Sequence, residues 1–246
     1  MTPAAADPDA LLLPPLFTLV TLRDAGDAFS HACAIAAEAG AGTLVWNRRF
    51  DLVEFAVVLE PEETLPGARC AAFVGMNALA DTLAAFCPPE KEVEIGWPMT
   101  LRFNHGRIGG GRLAVAPGSR DGETPEWMVF GGILIADSLD PQAPGATPET
   151  TSLVEEGFTD VDPPQLVESF ARHLMAGFHT WADRGFRSVA RTYLERLAGA
   201  EPGIRRGIDV NGDLLLQRGG TTERVALLPG IDGADWYDAR RGEPRL

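Results

Sequence analysis

The residues best suited to chemistry lie in one stretch, where Trp97-Pro98 is followed by Gly106-Arg107 and then by three consecutive glycines, residues 109–111. Glycines leave a strand without Cβ atoms, so a ligand can approach the backbone closely. The neighbouring Arg107 carries a planar guanidinium that can pair bidentately with a carboxylate or phosphate. These residue types predict a ligand site in which a strand backbone and a positive charge lie side by side.

Cysteine chemistry is the second possibility that the residue types offer. Cys70 stands at the start of a predicted helix, a position that lowers the pKa of a thiol, and Cys87 follows the same helix. The three cysteines form an odd set without metal-like spacing, which favours reduced thiols and a cytoplasmic protein. His173 and His179 do not share a helix face well, so we predict no metal site.

The elements that must position these residues follow from periodicity and from glycine and proline punctuation. We predict strands where short apolar runs end in turn residues, and helices where apolar residues recur every three or four positions. The predicted strands are 16–22, 43–46, 52–59, the two strands of 97–116, and 127–136; the predicted helices are 29–39, 68–86, a long helix from about 164, and 186–197.

The organisation of the chain is predicted in three parts. Residues 1–15 form a disordered lead, residues 16–200 an α+β domain, and residues 201–246 a small β module in which Asn211-Gly212 marks a hairpin turn. With 246 residues, 45% of them hydrophobic, the chain can bury a substantial core.

The charge excludes one class of partner. The formal net charge of −14 argues against a nucleic-acid surface, which requires clustered lysine and arginine. The apolar runs are too short to span a membrane. We therefore predict a cytoplasmic protein without nucleic-acid or membrane partners.

The order of the motifs resembles the catalytic domain of the biotin and lipoate protein ligases. In that family a Trp-Pro-Asn-Asp strand precedes a Gly-Arg-Lys turn and an Ile-Gly-Gly strand; this chain has Trp97-Pro-Met-Thr and then Gly106-Arg-Ile-Gly-Gly-Gly. The apolar strand with Gly131-Gly132 and the helix that ends near Trp181 continue the resemblance. It implies a mixed β-sheet covered by helices, like the class II synthetases, with a small C-terminal β module.

The resemblance also implies a site. It gives Arg107 the catalytic position and assigns substrate or nucleotide binding to Trp46, Arg48, Trp97, Gly106, Gly109, Gly110, Gly111, Gly131 and Gly132. The implied cofactors are ATP with Mg²⁺ and biotin or lipoate. The implied partner is a biotin or lipoate carrier-protein domain, and a homodimer is compatible with the family.

Departures from the family pattern leave the function open. Met99 and Thr100 replace the Asn and Asp, Arg107 is followed directly by Ile108 where the family has a lysine in between, and the segment 40–46 lacks the arginines of the phosphate loop. Lys91, the single lysine, is predicted to lie in an exposed linker. Three functions remain: a ligase with altered residues, a catalytically lapsed protein that binds an acyl group, nucleotide or carrier domain, and a cysteine-dependent lipoyl or octanoyl transferase.

Overall fold

A seven-stranded mixed sheet carries the glycine-rich strands and has packed elements on both faces. The structure is a computed structural model that describes residues 11–23, 26–88, 91–137, 149–238 and 241–245. Its helices are α1 (Ala28–Ala39), α2 (Leu65–Ala68), α3 (Ala71–Phe86), α4 (Pro163–Arg184), α5 (Phe186–Arg196) and α6 (Leu228–Asp232). Its strands are β1 (Thr18–Arg23), β2 (Thr43–Arg48), β3 (Leu52–Leu59), β4 (Val93–Gly96), β5 (Thr100–Phe103), β6 (Gly106–Val115), β7 (Met128–Ile135), β8 (Arg205–Ile208), β9 (Leu214–Arg218), β10 (Thr221–Val225), β11 (Tyr237–Asp238) and β12 (Glu243–Pro244).

The strand order in the main sheet is β1-β2-β3-β7-β6-β5-β4. β1 and β2 are parallel and are connected through α1, because parallel neighbours need a crossover. The other neighbouring pairs are antiparallel. The predicted α+β fold with a mixed sheet is confirmed. Of the predicted lead, residues 1–10 lie outside the described residues, while the backbone N–H of Leu12 donates to Glu168 on α4.

One face of the sheet, here the helical face, packs against α3, α4 and α5. α3 is apolar on every side and is buried over most of its length, as expected for a helix at the centre of a core. It approaches β7 so closely that a Cβ on Gly75 would lie 2.2 Å from the ring of Phe130. This close contact fixes α3 beneath the two glycine-rich strands, β6 and β7.

The opposite face, here the α1 face, packs against α1. Asp27 caps this helix by accepting hydrogen bonds from the backbone N–H groups of Phe29 and Ser30. The buried residues of α1 are alanines four positions apart, Ala28, Ala32 and Ala36. Small residues at this spacing let the helix lie close to the sheet.

The C-terminal region has two parts that pack in different places. β8, β9 and β10 form an antiparallel sheet, and β8 and β9 are joined at the predicted Asn211-Gly212 turn. A Cβ on Gly212 would lie 2.5 Å from Leu227 and 3.4 Å from Cys70, so this small sheet packs against the core. The residues that follow, 228–238 and 241–245, are here called the C-terminal segment. They continue past Pro98, which Gly230 contacts, to the α1 face.

Lys91 is not the exposed linker residue that the sequence predicted. Its ammonium donates to the carboxylate of Glu156 at 2.7 Å and to the Glu156 carbonyl at 3.0 Å, and lies 5.7 Å from the ring centre of Phe103. The Lys91 side chain is 29% exposed and that of Glu156 is 12% exposed. Glu156 also accepts from Thr151, so Lys91 holds the loop that pairs with the start of β6.

Replacing Lys91 therefore has a structural cost. We expect Lys91→Met to lower the free energy of unfolding by about 1–2 kcal/mol, because a charged hydrogen bond to a largely buried carboxylate is lost. Urea denaturation measures the change, and Lys91→Arg serves as a charge-retaining control. A stability equal to that of the wild type would return Lys91 to the exposed-linker interpretation.

None of the helices in the described ranges is long and apolar enough to cross a membrane.

Candidate functional site

The turn between β5 and β6 sets the position of Arg107. Asn104 and His105 both have positive φ, 49° and 71°, which fits the turn-forming role that their residue types suggest. Arg107 follows after Gly106, and its backbone N–H and C=O both bond to the loop 149–151. The head of β6 is therefore fixed on both of its edges.

The three glycines of β6 face different neighbours. A Cβ on Gly109, whose φ is +154°, would lie 2.0 Å from the carbonyl oxygen of Ile133 on β7. A Cβ on Gly111 would enter the helical face, 2.8 Å from the sulfur of Met76. A Cβ on Gly110 would enter the α1 face, 2.6 Å from the indole of Trp236. Of these three glycines, only Gly110 directs its Cβ position toward the α1 face.

The two glycines of β7 also face opposite sides of the sheet. A Cβ on Gly131 would lie 2.6 Å from Phe29 on the α1 face, whereas one on Gly132 would lie 2.7 Å from Phe55 on the helical face. Gly106, at the head of β6, lies against Thr151, 2.9 Å from where its Cβ would be. The structure thus brings Gly110 and Gly131 together on the α1 face.

The aromatic residues of the predicted site lie elsewhere. Trp46 is buried in the helical core, and the guanidinium of Arg48 lies 5.6 Å from its ring centre. Trp97 packs in the same core against Phe73 and Tyr193, with ring centres 5.9 Å and 6.1 Å away. These three predicted residues support the sheet from the helical side and do not meet Gly110 in the structure.

Sequence reasoning missed a polar group on the α1 face, because the apolar run of β3 conceals it. Glu54 is paired in register with Ile133, which is paired in turn with Gly110. Glu54 is 2% exposed. Its carboxylate accepts from the side chain of Asn47 at 2.9 Å and from the backbone N–H of Ala28 at 2.8 Å. The available signal was the charged residue itself, which stands among apolar residues in a strand whose side chains alternate between the two faces of the sheet.

Glu54 is the first member of a buried charge network. Its carboxyl group is repelled by the negative charge of Asp27, whose carboxylate lies 3.0 Å from the guanidinium of Arg112. That guanidinium lies between two rings, 4.1 Å from the centre of Phe29 and 4.1 Å from that of Tyr237. A cation between two aromatic faces and beside a carboxylate is held rigidly.

Burial and charge move the two carboxyl pKa values apart. Burial raises the pKa of Glu54, and the neighbouring Asp27 adds to the increase despite the hydrogen bonds from Asn47 and Ala28. Burial also acts to raise the pKa of Asp27, but the charge and hydrogen bond of Arg112, with the hydrogen bonds of Ser30, hold it below its usual value. Asp27 therefore carries the negative charge that pairs with Arg112.

The raised pKa of Glu54 predicts a specific pH dependence of stability. Below the ordinary glutamate pKa of 4.5, Glu54 is protonated in both the folded and the unfolded protein. As the pH rises above 4.5, Glu54 ionises first in the unfolded protein, because its pKa is higher in the folded one. The contribution of Glu54 to stability therefore falls until the pH has passed its pKa in the folded protein. We expect Glu54→Gln to remove this fall, so that the variant gains stability relative to the wild type as pH rises from 4.5. Thermal unfolding of both proteins between pH 4 and pH 8 measures the difference, and a constant difference would contradict the raised pKa.

A cavity of about 640 Å³ lies beside this network. Its lining includes Phe29, Arg69, Arg112, Leu228, Tyr237 and Arg245. The volume lies within the range of small-molecule sites, and the three arginines give it the donors that carboxylates and phosphates prefer.

Arg107 lies at the start of β6, before Gly110 and Arg112, and is hydrogen-bonded to the C-terminal segment. Its guanidinium donates to the hydroxyl of Thr150 at 3.1 Å and to the carbonyl of Arg245. Burial lowers the pKa of Arg107, and repulsion from Arg102 adds to the effect. Among the described residues, its buried Nε has no acceptor.

Trp236 covers the backbone of Gly110 on the α1 face. Its side chain is 1% exposed and packs with Leu52, Ile133 and Ile135 in a cluster on the α1 face. Its indole N–H is buried and has no acceptor within the described ranges. An aromatic ring of the chain itself therefore occupies the space that the missing side chain of Gly110 leaves on the α1 face.

The cysteines do not form a nucleophilic site. Cys70 is 1% exposed, and burial raises the pKa of its thiol to about 12 despite its position at the start of α3. The pKa of the Cys87 thiol is also raised by burial. We expect Cys70 to react with a thiol reagent such as DTNB only after denaturation; rapid reaction of native Cys70 would reopen the transferase alternative.

No cluster of three His, Cys, Asp or Glu side chains that could hold a metal occurs in the described part of the chain.

The mixed sheet, with its helices and small C-terminal sheets, has the architecture of a biotin protein ligase catalytic domain. A structure of the Aquifex aeolicus biotin protein ligase in complex with biotin and ATP has a TM-score of 0.65 over 85% of this chain and 95% of that one, at 12% identity. A biotin protein ligase-like protein of unknown function from Silicibacter sp. TM1040 has a TM-score of 0.77 and 29% identity, covering 89% of this chain and 97% of that one.

The family model for the biotin/lipoate A/B protein ligases matches residues 13–195, and the chain belongs to this family. The sequence is 29% identical over 183 residues to the biotin–[acetyl-CoA-carboxylase] ligase of Paracoccus denitrificans. The aligned region covers 72% of this chain and 68% of that protein. The resemblance inferred from the Trp97 and Gly106 motifs is thereby confirmed.

Proposed function

We propose that this protein activates a carboxylic acyl group of the biotin or lipoate class in the cytoplasm and transfers it to a lysine of a carrier-protein domain. The observation that carries the proposal is the geometry of β6, which carries Arg107, Gly110 and Arg112 in turn and of which Arg112 lines a cavity with two further arginines, Arg69 and Arg245. Family membership and the Paracoccus denitrificans relative support the same class of reaction.

Within this proposal Arg107 replaces the lysine of the family as the cation that meets developing negative charge on the acyl carboxylate. The guanidinium stays protonated and binds oxygens through a fork, so it suits a carboxylate or phosphoryl group although its reach differs from that of lysine. When bound, ATP would supply the adenylyl group that activates the carboxylate. Arg107 and the arginines of the cavity have the donor chemistry for its phosphates. We derive no role for a protein-held metal, and Mg²⁺ would come with the nucleotide.

A second candidate is a protein that binds the acyl ligand without adenylating it. Two observations favour it: the guanidinium of Arg107 is already bonded to Thr150 and Arg245, and Trp236 covers Gly110. Such a protein would retain the ligand face of the fold and lack the exchange reaction of a ligase.

ATP–pyrophosphate exchange separates the two candidates. The wild-type protein is assayed with biotin, lipoate or octanoate, and exchange above background with one of them is expected. Arg107→Ala should weaken adenylate binding by about 1–3 kcal/mol, the scale of a charge-assisted hydrogen bond, while Arg191→Ala on the exposed surface of α5 should not. Absence of exchange with all three acids, together with calorimetric binding of one, would establish the binding-only candidate instead.

A further inference from the structure

The C-terminal segment contacts every part of β6 that the proposed function uses. The carbonyl of Arg245 accepts from Arg107, the indole of Trp236 lies on Gly110, and the ring of Tyr237 lies on Arg112. A ligand that reached the backbone of Gly110 would have to occupy the volume of the Trp236 ring. The segment and such a ligand therefore exclude each other.

The segment has hydrogen bonds of its own, between its two short strands and beside them. β11 and β12 are two residues each, and the N–H of Arg245 donates to the carbonyl of Trp236 at 2.8 Å. The side chain of Arg245 donates to the carbonyl of Tyr237 at 3.2 Å. Two-stranded hairpins of this size are marginal in isolation, so packing of the two rings on the sheet must supply much of the closing free energy.

Within the described ranges, β11 and β12 pair with each other and not with a strand of the main sheet. The polar contacts that hold the segment in place include the hydrogen bond from Arg107 to the Arg245 carbonyl, a hydrogen bond between the side chains of Tyr237 and Asp27, and a 3.6 Å approach of Arg49 to the half-exposed Glu243. Arg49 has its main partner elsewhere, in Asp51 at 2.5 Å. The segment can therefore leave without breaking the strand ladder of the main sheet.

The closed arrangement leaves two buried donors unsatisfied. The indole N–H of Trp236 and the Nε of Arg107 lack acceptors among the described residues, and a buried donor without an acceptor opposes the state that buries it. When the segment leaves, water or an anionic ligand can satisfy both groups. This cost makes the closed state easier to displace than its apolar burial alone would suggest.

We propose that the C-terminal segment is an autoinhibitory strap that competes with the ligand for β6, so that binding requires Trp236 to leave Gly110. The inference rests on the proposed function, because the ligand in question is the acyl group or its adenylate. The strap opens while the main sheet stays folded, and the affinity measured for the whole protein is the intrinsic affinity multiplied by the open fraction.

Hydrogen exchange of the complete protein tests the opening without any ligand. A minor open state of roughly 0.1–10% gives the Arg245 amide a protection factor of roughly 10–1000. The Gly111 amide, which donates to Met99 within the sheet, should exchange only on global unfolding and be far better protected. Equal protection of the two amides would overturn the strap, because the segment would then be a permanent part of the core.

Calorimetry with biotin, lipoate, octanoate and biotinyl-5′-AMP tests the competition. Trp236→Ala should bind at least one probe about tenfold or more tightly than the wild type, as expected when an open fraction of 10% or less becomes dominant. Trp181→Ala, which removes a partly buried tryptophan from α4, is the matched control and should leave the affinity unchanged. Trypsin cleavage at Arg241 should also accelerate when the tighter probe is added to the wild type.

The outcomes separate the strap from the proposed function. A probe that binds the wild type and binds Trp236→Ala equally or more weakly overturns competition, since Trp236 would then be part of the ligand site. If no probe binds either protein, the proposed function fails for these acids, and the exchange experiment alone decides whether the segment opens. Tighter binding by Trp236→Ala together with weak protection of Arg245 supports both.

Discussion

Gly110→Val is expected to destabilise the protein by about 3 kcal/mol, at the upper end of the usual cost of overpacking. The added Cβ would lie 2.3 Å from the carbonyl oxygen of Met99 and 2.6 Å from the indole of Trp236. The first neighbour is backbone in the paired strand region and cannot turn away. The second is a side chain that the substitution would push off the sheet.

Urea denaturation and the wavelength of tryptophan emission check this expectation together. Gly207→Val is the matched control, because Gly207 also lies in a strand, β8, and has no atom within 4 Å of its Cβ position. We expect the control to stay within about 0.5 kcal/mol of the wild type. A Gly110→Val protein as stable as the control would show that Trp236 and Met99 do not pack on this glycine.

Arg112→Ala is expected to cost about 2–4 kcal/mol, somewhat below the full cost of breaking a buried ion pair because both partners are partly exposed. The side chains of Arg112 and Asp27 are 18% and 21% exposed, and the guanidinium also contacts Phe29 and Tyr237. Its removal leaves Asp27 beside Glu54 without a compensating cation. The pKa of Asp27 should therefore rise in the variant.

Chemical denaturation measures the loss of stability, and NMR titration of the carboxyl groups measures the pKa. Arg112→Lys should recover only part of the stability, since lysine keeps the charge but not the planar fork. Arg172→Ala is the surface control, because its ion pair with Glu168 is long, 3.8 Å, and its side chain is 52% exposed. If Arg112→Ala and Arg172→Ala lost equally little, the buried network would have no role in stability.

The sequence predicts six of the seven strands of the main sheet, because these carry strong local signals, but it misses β4, and Trp97 lies in the turn between β4 and β5 and not in a strand. β3 has the predicted bounds, residues 52–59, and the helix predicted at 29–39 begins one residue earlier, where Asp27 caps it. The predicted helix 68–86 corresponds to α3, which begins later, at Ala71, while Ala68 ends the separate short helix α2. Such boundaries depend on local hydrogen bonds that periodicity does not reveal.

The arrangement on the α1 face could not be predicted in the same way. The glycine triplet of β6 reads as one surface, but alternation along a strand directs Gly110 and Gly111 to opposite faces. The contact between Trp236 and Gly110 joins positions far apart in sequence, and nothing near Trp236 carries a strand or helix signal. The charged neighbours of Lys91 likewise predict a solvated side chain, whereas its partner Glu156 is supplied by a loop distant in sequence.

The indole N–H signal of Trp236 in a ¹H–¹⁵N spectrum tests the central claim most directly, because this group lies on Gly110 without an acceptor among the described residues. The signal is assigned by its loss in Trp236→Phe, and the wild type is titrated with biotin, lipoate, octanoate and biotinyl-5′-AMP. If β6 is the ligand site beneath a displaceable strap, the probe that binds should shift the Trp236 signal and leave that of Trp181 in place. Saturable binding of a probe with an unchanged Trp236 signal would contradict the account, because the ligand would then bind away from Gly110.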